Sequence, residues 1–373
     1  MKPVRVGFVL EYSLGHATHA RNLKAVLGSD GSRAVEPVYV DVPFDATPVG
    51  AWGRLPPVRS NWSIRASLAA YRALKPLAGV LDAALFHTQV TALFSAGLMR
   101  RVRSVVSLDA TPIQIDGLGA AYGHAAARGG PIEALKKRLN SRAFAAARHL
   151  VTWSEWAKGS LVADYGVPAA KVTVIPPGID TDLWSFAPRE RATGDPVNLL
   201  FVGGDFARKG GDTLLAAYDA LPAGVRARTQ LHLVTRTAPL GTASARAGVT
   251  VYSDLTANSD ALRRLYSTAD LFVFPTRGDC LPLAVLEALS SGLPVVTTAV
   301  GALPEAVTEG ETGRIVTLDD VQGLGAVLES LIGDGDERSR MGRNARAVAR
   351  ARFDAAWNYA RLIETVKNQG AAR

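Results

Sequence analysis

The sequence predicts an α/β chain of two doubly wound, Rossmann-like domains facing a crevice. Three observations carry that expectation. Short apolar runs alternate with helix-period segments along the whole chain, the pattern of parallel sheets with crossover helices. The runs fall into two sets, one in each half. Between them lies PPGIDTDLWSFAPRERATGDP, Pro176 to Pro196, dense in proline, turn residues and charge, as a linker is. At 373 residues the chain is also too long for one simple core.

The elements follow in order. In the first half the strand runs are VRVGFVL, EPVYVDV, DAALFHT, SVVSLD, HLVTWS and VTVIPP; in the second they are VNLLFVGG, QLHLVTR, VTVYSD, DLFVFPT and PVVTT. A helical pattern, DAAWNYARLIETVKN, closes the chain. The expected division is residues 1–178, completed by a C-terminal helix over 354–373, and residues 179–353. No repeat of solenoid period and no low-complexity segment interrupts the pattern.

Composition narrows the class. With 48% hydrophobic and 20% charged residues the chain is of ordinary globular make-up. No apolar run reaches the roughly 18 residues of a membrane span. The opening run breaks at Glu11 and reads as a strand, not a signal peptide. One cysteine, Cys280, excludes an intramolecular disulfide and fits a reducing, cytoplasmic setting. A net charge of +8 asks for anionic partners. Zinc-ligand pairs, an RNP-like aromatic strand and a polybasic tail are all missing, so phosphorylated ligands or a membrane surface are expected in place of nucleic acid. NWSIRASLAAYRAL, with Arg100, Arg101 and Arg103, is a candidate basic amphipathic face for peripheral membrane contact. Core packing of Trp62, Ile64 and Leu68 is the reading preferred for it. ERSRMGRNARAVARARF reads as a solvated helix face. Oligomeric state is left open.

Open α/β sheets bind ligands at the carboxyl ends of their strands. Glu11 to Gly15, His87, Asp109 and Trp153-Ser154 stand there in the first half. Gly203-Gly204, Arg236, Ser253, Thr276 and Thr297 stand there in the second.

Three stretches carry chemistry. In FPTRGDCLPLAVLEALSSGLPVVTT a strand ends, a short loop holds Asp279, and a helix starts near Pro282. The free backbone N–H groups of the first turn offer an anion site at the helix start, so Cys280, Leu281, Pro282 and Leu283 are expected around the donor. Glu287, the lone charge inside that apolar helix, is costly to bury without a partner. A ribose diol supplies two donors; a capped loop or a stabilised helix start would serve as well. In LLFVGGDFARKGGDTLLAAYDAL a strand runs into Gly203-Gly204 and the cations Arg208 and Lys209. Glycine permits close backbone approach and the cations suit a diphosphate, although the spacing is neither a P-loop nor a dinucleotide fingerprint. In VRVGFVLEYSLGHATHARNLKAVL a loop centred on Gly15 leads to His16 and His19, spaced i, i+3. With no cysteine or acid beside them, a metal role is set aside in favour of lining the crevice or packing locally.

GDCLPLAVLEALSSGLPVVTTAVGALPE resembles the C-terminal signature of the family-4 retaining glycosyltransferases of the GT-B fold. YGVPAAKVTVIPPGID and FVGGDFARKGGDTLL are similar to that family's interdomain segment and diphosphate loop, and LFHTQVTALF to the strand with its active-site histidine. The resemblance covers most of the chain and implies transfer, with retention, from a nucleotide-diphosphate sugar to an acceptor it does not identify. It implies that Glu287 holds the ribose hydroxyls, Asp279 meets the donor sugar and Lys209 binds the diphosphate. It further implies that Gly15 lets its loop close over the phosphates and that His87 meets the sugar near its reacting carbon. His16 and Asp109 are then expected on the acceptor side.

Three positions depart from the family pattern. Asp279 replaces a glutamate, Gly204 an arginine and Pro177 an asparagine. Arg208, beside Lys209, is the candidate for the missing cation. The implied route is front-side and oxocarbenium-like, with Arg208, Lys209 and the helix N-terminus stabilising the diphosphate leaving group. No Asp-x-Asp pair stands in a suitable loop, so neither metal nor cofactor is expected. Two rival readings keep the fold: a nucleotide-sugar 2-epimerase, and a non-catalytic sugar-nucleotide binding protein.

Overall fold

The computed structural model describes residues 3–13, 15–29, 34–44, 58, 61–122, 130–184, 194–237, 243 and 245–371. Within the Pro176–Pro196 segment, residues 185–193 lie outside the described residues. The chain forms two compact units. One takes Met1–Gly119, Ala125–Gly178 and Ala355–Arg373; the other takes Ala120–His124 and Ile179–Asp354.

The first unit is built on a six-stranded sheet in the order β2-β1-β3-β4-β5-β6, where β1 is Val4–Tyr12, β2 Val35–Pro43, β3 Ala83–His87, β4 Arg103–Leu108, β5 His149–Thr152 and β6 Val172–Val174. Every pairing is parallel. Both faces are covered, which is why the strands read as near-continuous apolar runs. Alternate residues of β1 divide between the two faces. Val6, Phe8 and Leu10 join Tyr359, Leu362 and Val366 of the helix Ala355–Ala371. Val9 joins Phe86, Phe144 and Ala66, Ala70 and Leu74 of the helix Trp62–Leu74. Trp62, Ile64 and Leu68 pack against this second core. The apolar side of that helix is thus spent on the interior, and no helix among the described residues is long and apolar enough to cross a membrane.

The second unit repeats the plan in the order β12-β11-β10-β7-β8-β9, with β7 Val197–Val202, β8 Thr229–Val234, β9 Val249–Tyr252, β10 Leu271–Phe274, β11 Val295–Thr298 and β12 Gly313–Val316. All five pairings are parallel. β12 is a strand the sequence reading does not include. It is four residues long, begins with glycine, carries Arg314 and pairs only at the sheet edge, so little apolar signal marks it. The arginine-rich helix Gly335–Arg352 is less solvated than its composition suggests. Nη1 of Arg346 donates to the carbonyls of Thr181 (2.6 Å), Trp184 (2.9 Å) and Ser290 (2.6 Å), and Arg338 donates to the Ile332 carbonyl at 3.0 Å. These arginines satisfy partly buried backbone carbonyls.

The chain leaves the first unit at Gly178 and returns to it at Ala355. A Cβ on Gly178 would lie 2.4 Å from the Ala355 Cα, so no other residue fits there. The Gly178 carbonyl accepts from Asn22 Nδ2 (3.1 Å) and the Tyr359 hydroxyl (3.3 Å). One residue on, the Ile179 N–H donates to the Phe353 carbonyl at 2.7 Å.

Candidate functional site

In the second unit β7 and β10 are neighbours, so the loops that follow them meet. The first loop carries Arg208 and Lys209 into the helix Gly211–Asp219. Gly210 makes the turn with φ +75°, and a Cβ there would sit 2.0 Å from the Pro275 carbonyl oxygen. The second loop carries Asp279. Lys209 Nζ donates to Asp279 Oδ1 at 2.5 Å, Arg208 Nη1 lies 3.5 Å from the same oxygen, and Thr276 Oγ1 donates to Oδ2 at 2.8 Å. Arg208 also donates to the Gly278 carbonyl (2.6 Å) and to Asp205 Oδ2 (3.2 Å), with its guanidinium 4.6 Å from the Tyr122 ring centre.

This cluster sets buried Arg208 and the largely buried Lys209 against Asp279, with the more exposed Asp205 pairing Arg208 from the other side. Burial pulls the Lys209 ammonium below its ordinary range; Asp279 opposes that pull and Arg208 adds to it. Burial also works against the Arg208 charge, but Asp279, Tyr122 and Asp205 outweigh it and hold the guanidinium above its usual range. An anion entering here meets cations already largely stripped of water. A Cβ on Gly203 would come 2.9 Å from Lys209 Cγ, so the glycine makes room for the lysine stem, while Gly204 faces open space. Arg277, which the sequence reading does not single out, is engaged by Asp212 (2.6 Å) and Asp319 (2.7 Å) and braces the helix start.

Cys280, Leu281 and Leu283 are buried. Pro282 is extended, with φ −71° and ψ 128°, and precedes the helix Leu283–Ser290; the helix therefore starts one residue later than the proline suggested. Glu287 on that helix is 5% exposed. It has a protein partner: the Tyr266 hydroxyl donates to Oε2 at 3.1 Å. Burial pushes the Glu287 carboxyl up to about 7, against the opposing pull of that hydroxyl. Trp184 packs edge-on against Tyr266, with ring centres 4.9 Å apart.

In the first unit three histidines gather under Trp153. His16 Nδ1 and His87 Nε2 are 3.1 Å apart, and His19 stacks on His87 with ring centres at 4.2 Å. Trp153 lies 5.0–5.5 Å from all three rings. Tyr359 bonds His19 Nδ1 at 3.1 Å, and Asp109 Oδ2 stands 3.7 Å from His16 Nε2. His87 is completely buried, with His16 as its outer neighbour, and the His87–Thr88 peptide is cis. Burial, then His19 and His16, hold the His87 ring well below its ordinary pKa; the Ser107 backbone opposes this without a hydrogen bond of full geometry to Nδ1. Burial and His16 lower His19 to about 3. Both rings are therefore neutral near pH 7. Gly15 is exposed beside them. Among the described residues no group of three or more His, Cys, Asp or Glu is arranged to hold a metal ion.

The model of Glycosyltransferase Family 4 matches residues 14–183, and that of Glycosyl transferases group 1 matches residues 196–334. The chain belongs to the family-4 glycosyltransferases. Among curated relatives, it is 32% identical over 206 residues to an MMP alpha-(1->4)-mannosyltransferase of Mycolicibacterium hassiacum, covering 54% of this chain and 49% of the relative. It is 32% identical over 223 residues to a glycogen synthase of Mycobacterium tuberculosis, covering 55% and 50%. The chain thus spans about half the length of the curated relatives it matches. Among solved structures it is similar to sucrose-phosphate synthase from Thermosynechococcus elongatus, with a TM-score of 0.78 and 18% identity over 99% of this chain and all of that one. It is also similar to Anabaena HepE in complex with UDP and glucose, with a TM-score of 0.69 and 16% identity over 98% and 100%. At these identities the likeness is one of fold: two Rossmann-like domains, the GT-B plan.

Proposed function

We propose that the chain is a retaining glycosyltransferase that moves a sugar from a nucleotide-diphosphate sugar to an acceptor. The observation that carries this reading is the Arg208–Lys209–Asp279 cluster, brought together from two loops at the carboxyl ends of adjacent strands. Its two largely buried cations suit a diphosphate leaving group, and their charge matters most as that group departs. Asp279 keeps them in place before a ligand arrives and is left to face the sugar once phosphate oxygens replace it. Glu287, buried a turn into the following helix, would accept from the ribose hydroxyls. That the HepE structure contains UDP and glucose supports a nucleotide-sugar donor here, as does the mannosyltransferase relative.

In this mechanism the protein contributes charge and orientation. His16 and Asp109 would line the sugar and acceptor side, with neutral His87 buried directly behind His16, and the developing positive charge on the sugar carbon would be balanced by the diphosphate it leaves. No carboxylate is assigned as a nucleophile, so retention would come from attack on the face the diphosphate vacates.

The test is incubation with a panel of labelled nucleotide sugars and no acceptor, alongside a thermal-shift panel of the matching diphosphates. Slow release of free sugar from one donor, with stabilisation by its nucleotide, is the expected result. A ligand at about 100 times its Kd stabilises by roughly 2.7 kcal/mol. Conversion of the donor to a different sugar nucleotide, or binding without turnover, would overturn the transferase reading.

A further inference from the structure

Glu11 ends the apolar run of β1 and is 3% exposed, yet among the described residues no ion pair joins it to a cation. Its carboxylate is enclosed by three neutral donors from three segments. The Ser13 hydroxyl and Trp62 Nε1 (2.9 Å) donate to Oε1, and the Thr88 hydroxyl donates to Oε2 at 2.5 Å. Burying a carboxylate is expensive unless such donors surround it. Two of these donors, Ser13 and Thr88, adjoin the turns that carry histidines. Ser13 opens the turn that carries Gly15 and His16, and its carbonyl accepts from the His16 N–H at 2.9 Å. Thr88, itself 1% exposed, follows His87 directly and caps the short helix Gln89–Ala92. Leu10, next to Glu11, is in register with His87 across the β1–β3 pair.

We propose that Glu11 is a positioning residue that fixes the two turns carrying His16 and His87, and so sets the 3.1 Å contact between their rings. An ionised carboxylate suits this task because it only accepts, and all three neighbours donate to it. Thr88 Oγ1 already accepts from the Val90 N–H (3.3 Å), which leaves its O–H for Glu11. An amide in place of the carboxylate keeps one acceptor oxygen but turns an N–H₂ group on one of the donors. The inference rests on the transferase reading only for what the histidines do, not for how they are held.

Two measurements test it. In chain labelled with ¹⁵N-histidine, Glu11→Ala and Thr88→Val should move the ring resonances of His16 and His87. His149 and His232, elsewhere in the same chain, serve as internal references and should stay in place. Glu11→Gln should give a smaller displacement. In sugar release from the nucleotide sugar, Glu11→Ala should lower the rate on the order of a hundredfold. Nucleoside diphosphate affinity should be unchanged, because Arg208, Lys209 and Glu287 belong to the other unit. A folded Glu11→Ala or Thr88→Val chain with His16 and His87 resonances at their wild-type positions overturns the proposal, as does nucleotide affinity that falls together with rate. If the wild-type chain turns over no sugar nucleotide, the transferase reading fails while the ring resonances still decide the role of Glu11.

Discussion

Tyr266 donates its hydroxyl hydrogen to Oε2 of Glu287 at 3.1 Å, and with that single bond it makes a buried carboxyl tolerable inside an apolar helix. The bond favours the ionised form, burial favours the protonated form, and burial prevails, leaving the group near 7. A carboxyl poised there changes state in the range where a ligand diol would need it ionised.

The first prediction follows from that balance. Because the folded pKa lies above the ordinary carboxylate value, the native state holds the proton more tightly than the unfolded chain. The stability this contributes is full below about pH 4.5 and is lost as pH rises to about 7. Glu287→Gln removes the penalty, so at pH 8 it should raise Tm while abolishing stabilisation by nucleoside diphosphate. Calorimetric titration and melting at pH 5 and pH 8 check both. Unchanged nucleotide affinity in the variant removes Glu287 from the ribose.

Removing the Tyr266 hydroxyl should act in the same direction on the acid. In Tyr266→Phe the Glu287 carboxyl loses the one group that favours its charge and titrates at higher pH. The pH at which nucleotide affinity reaches half its alkaline value should therefore move up. An affinity profile superimposable on wild type counts against the coupling.

Lys209 and Arg208 differ in their expected effects. Lys209→Met removes the cation nearest Asp279. Diphosphate affinity should fall roughly ten- to a hundredfold, the worth of one charge-assisted hydrogen bond, while nucleoside affinity holds. Arg208→Met also frees the Gly278 carbonyl and the Tyr122 ring, so it should cost melting temperature as well as affinity. Equal loss for nucleoside and diphosphate in Lys209→Met points away from a phosphate contact.

His19 gives an acid limb of opposite sign. Its folded pKa of about 3 lies below the ordinary 6.5, so the unfolded chain binds the extra proton. Stability from this group is present above pH 6.5 and falls as pH drops toward 3. His19→Gln should flatten that limb in urea melts between pH 6.5 and pH 4; an unaltered acid limb would show that burial there is looser than the geometry implies.

Gly210 connects the fold to the cluster. Its left-handed φ and the 2.0 Å approach of a Cβ to the Pro275 carbonyl leave no room for alanine. Gly210→Ala should destabilise by at least about 2 kcal/mol and, by shifting the adjacent Lys209, weaken diphosphate binding. A thermal melt within a degree of wild type contradicts this.

The fold was legible because strands buried on both faces carry continuous apolar runs, and those runs coincide with eleven of the twelve strands. β12 escaped because Gly313 and Arg314 make half of a four-residue edge strand. The site was legible only in part. Gly203, Arg208, Lys209 and Asp279 stand out as types at strand ends, but that Lys209 and Asp279 touch across 70 positions depends on β10 lying beside β7, an order that spacing does not reveal. Nothing in the sequence around Tyr266 announces its bond to Glu287. Glu11 looked like the end of an apolar run, and its three donors come from positions up to 77 residues away. Arg346 looked solvated because a charge pattern records neither the carbonyls beneath a helix nor their need of donors.

Gly178 and Ala355 lie against each other where the polypeptide departs from one unit and comes back. Cutting the gene between codons 178 and 179 would therefore not yield two independent pieces. The downstream piece would carry away the helix that supplies Tyr359, Leu362 and Val366 to the upstream core, and each fragment would hold something the other lacks. Co-expressed halves would have a built-in reason to reassemble, which makes this junction a natural place to divide the chain for complementation.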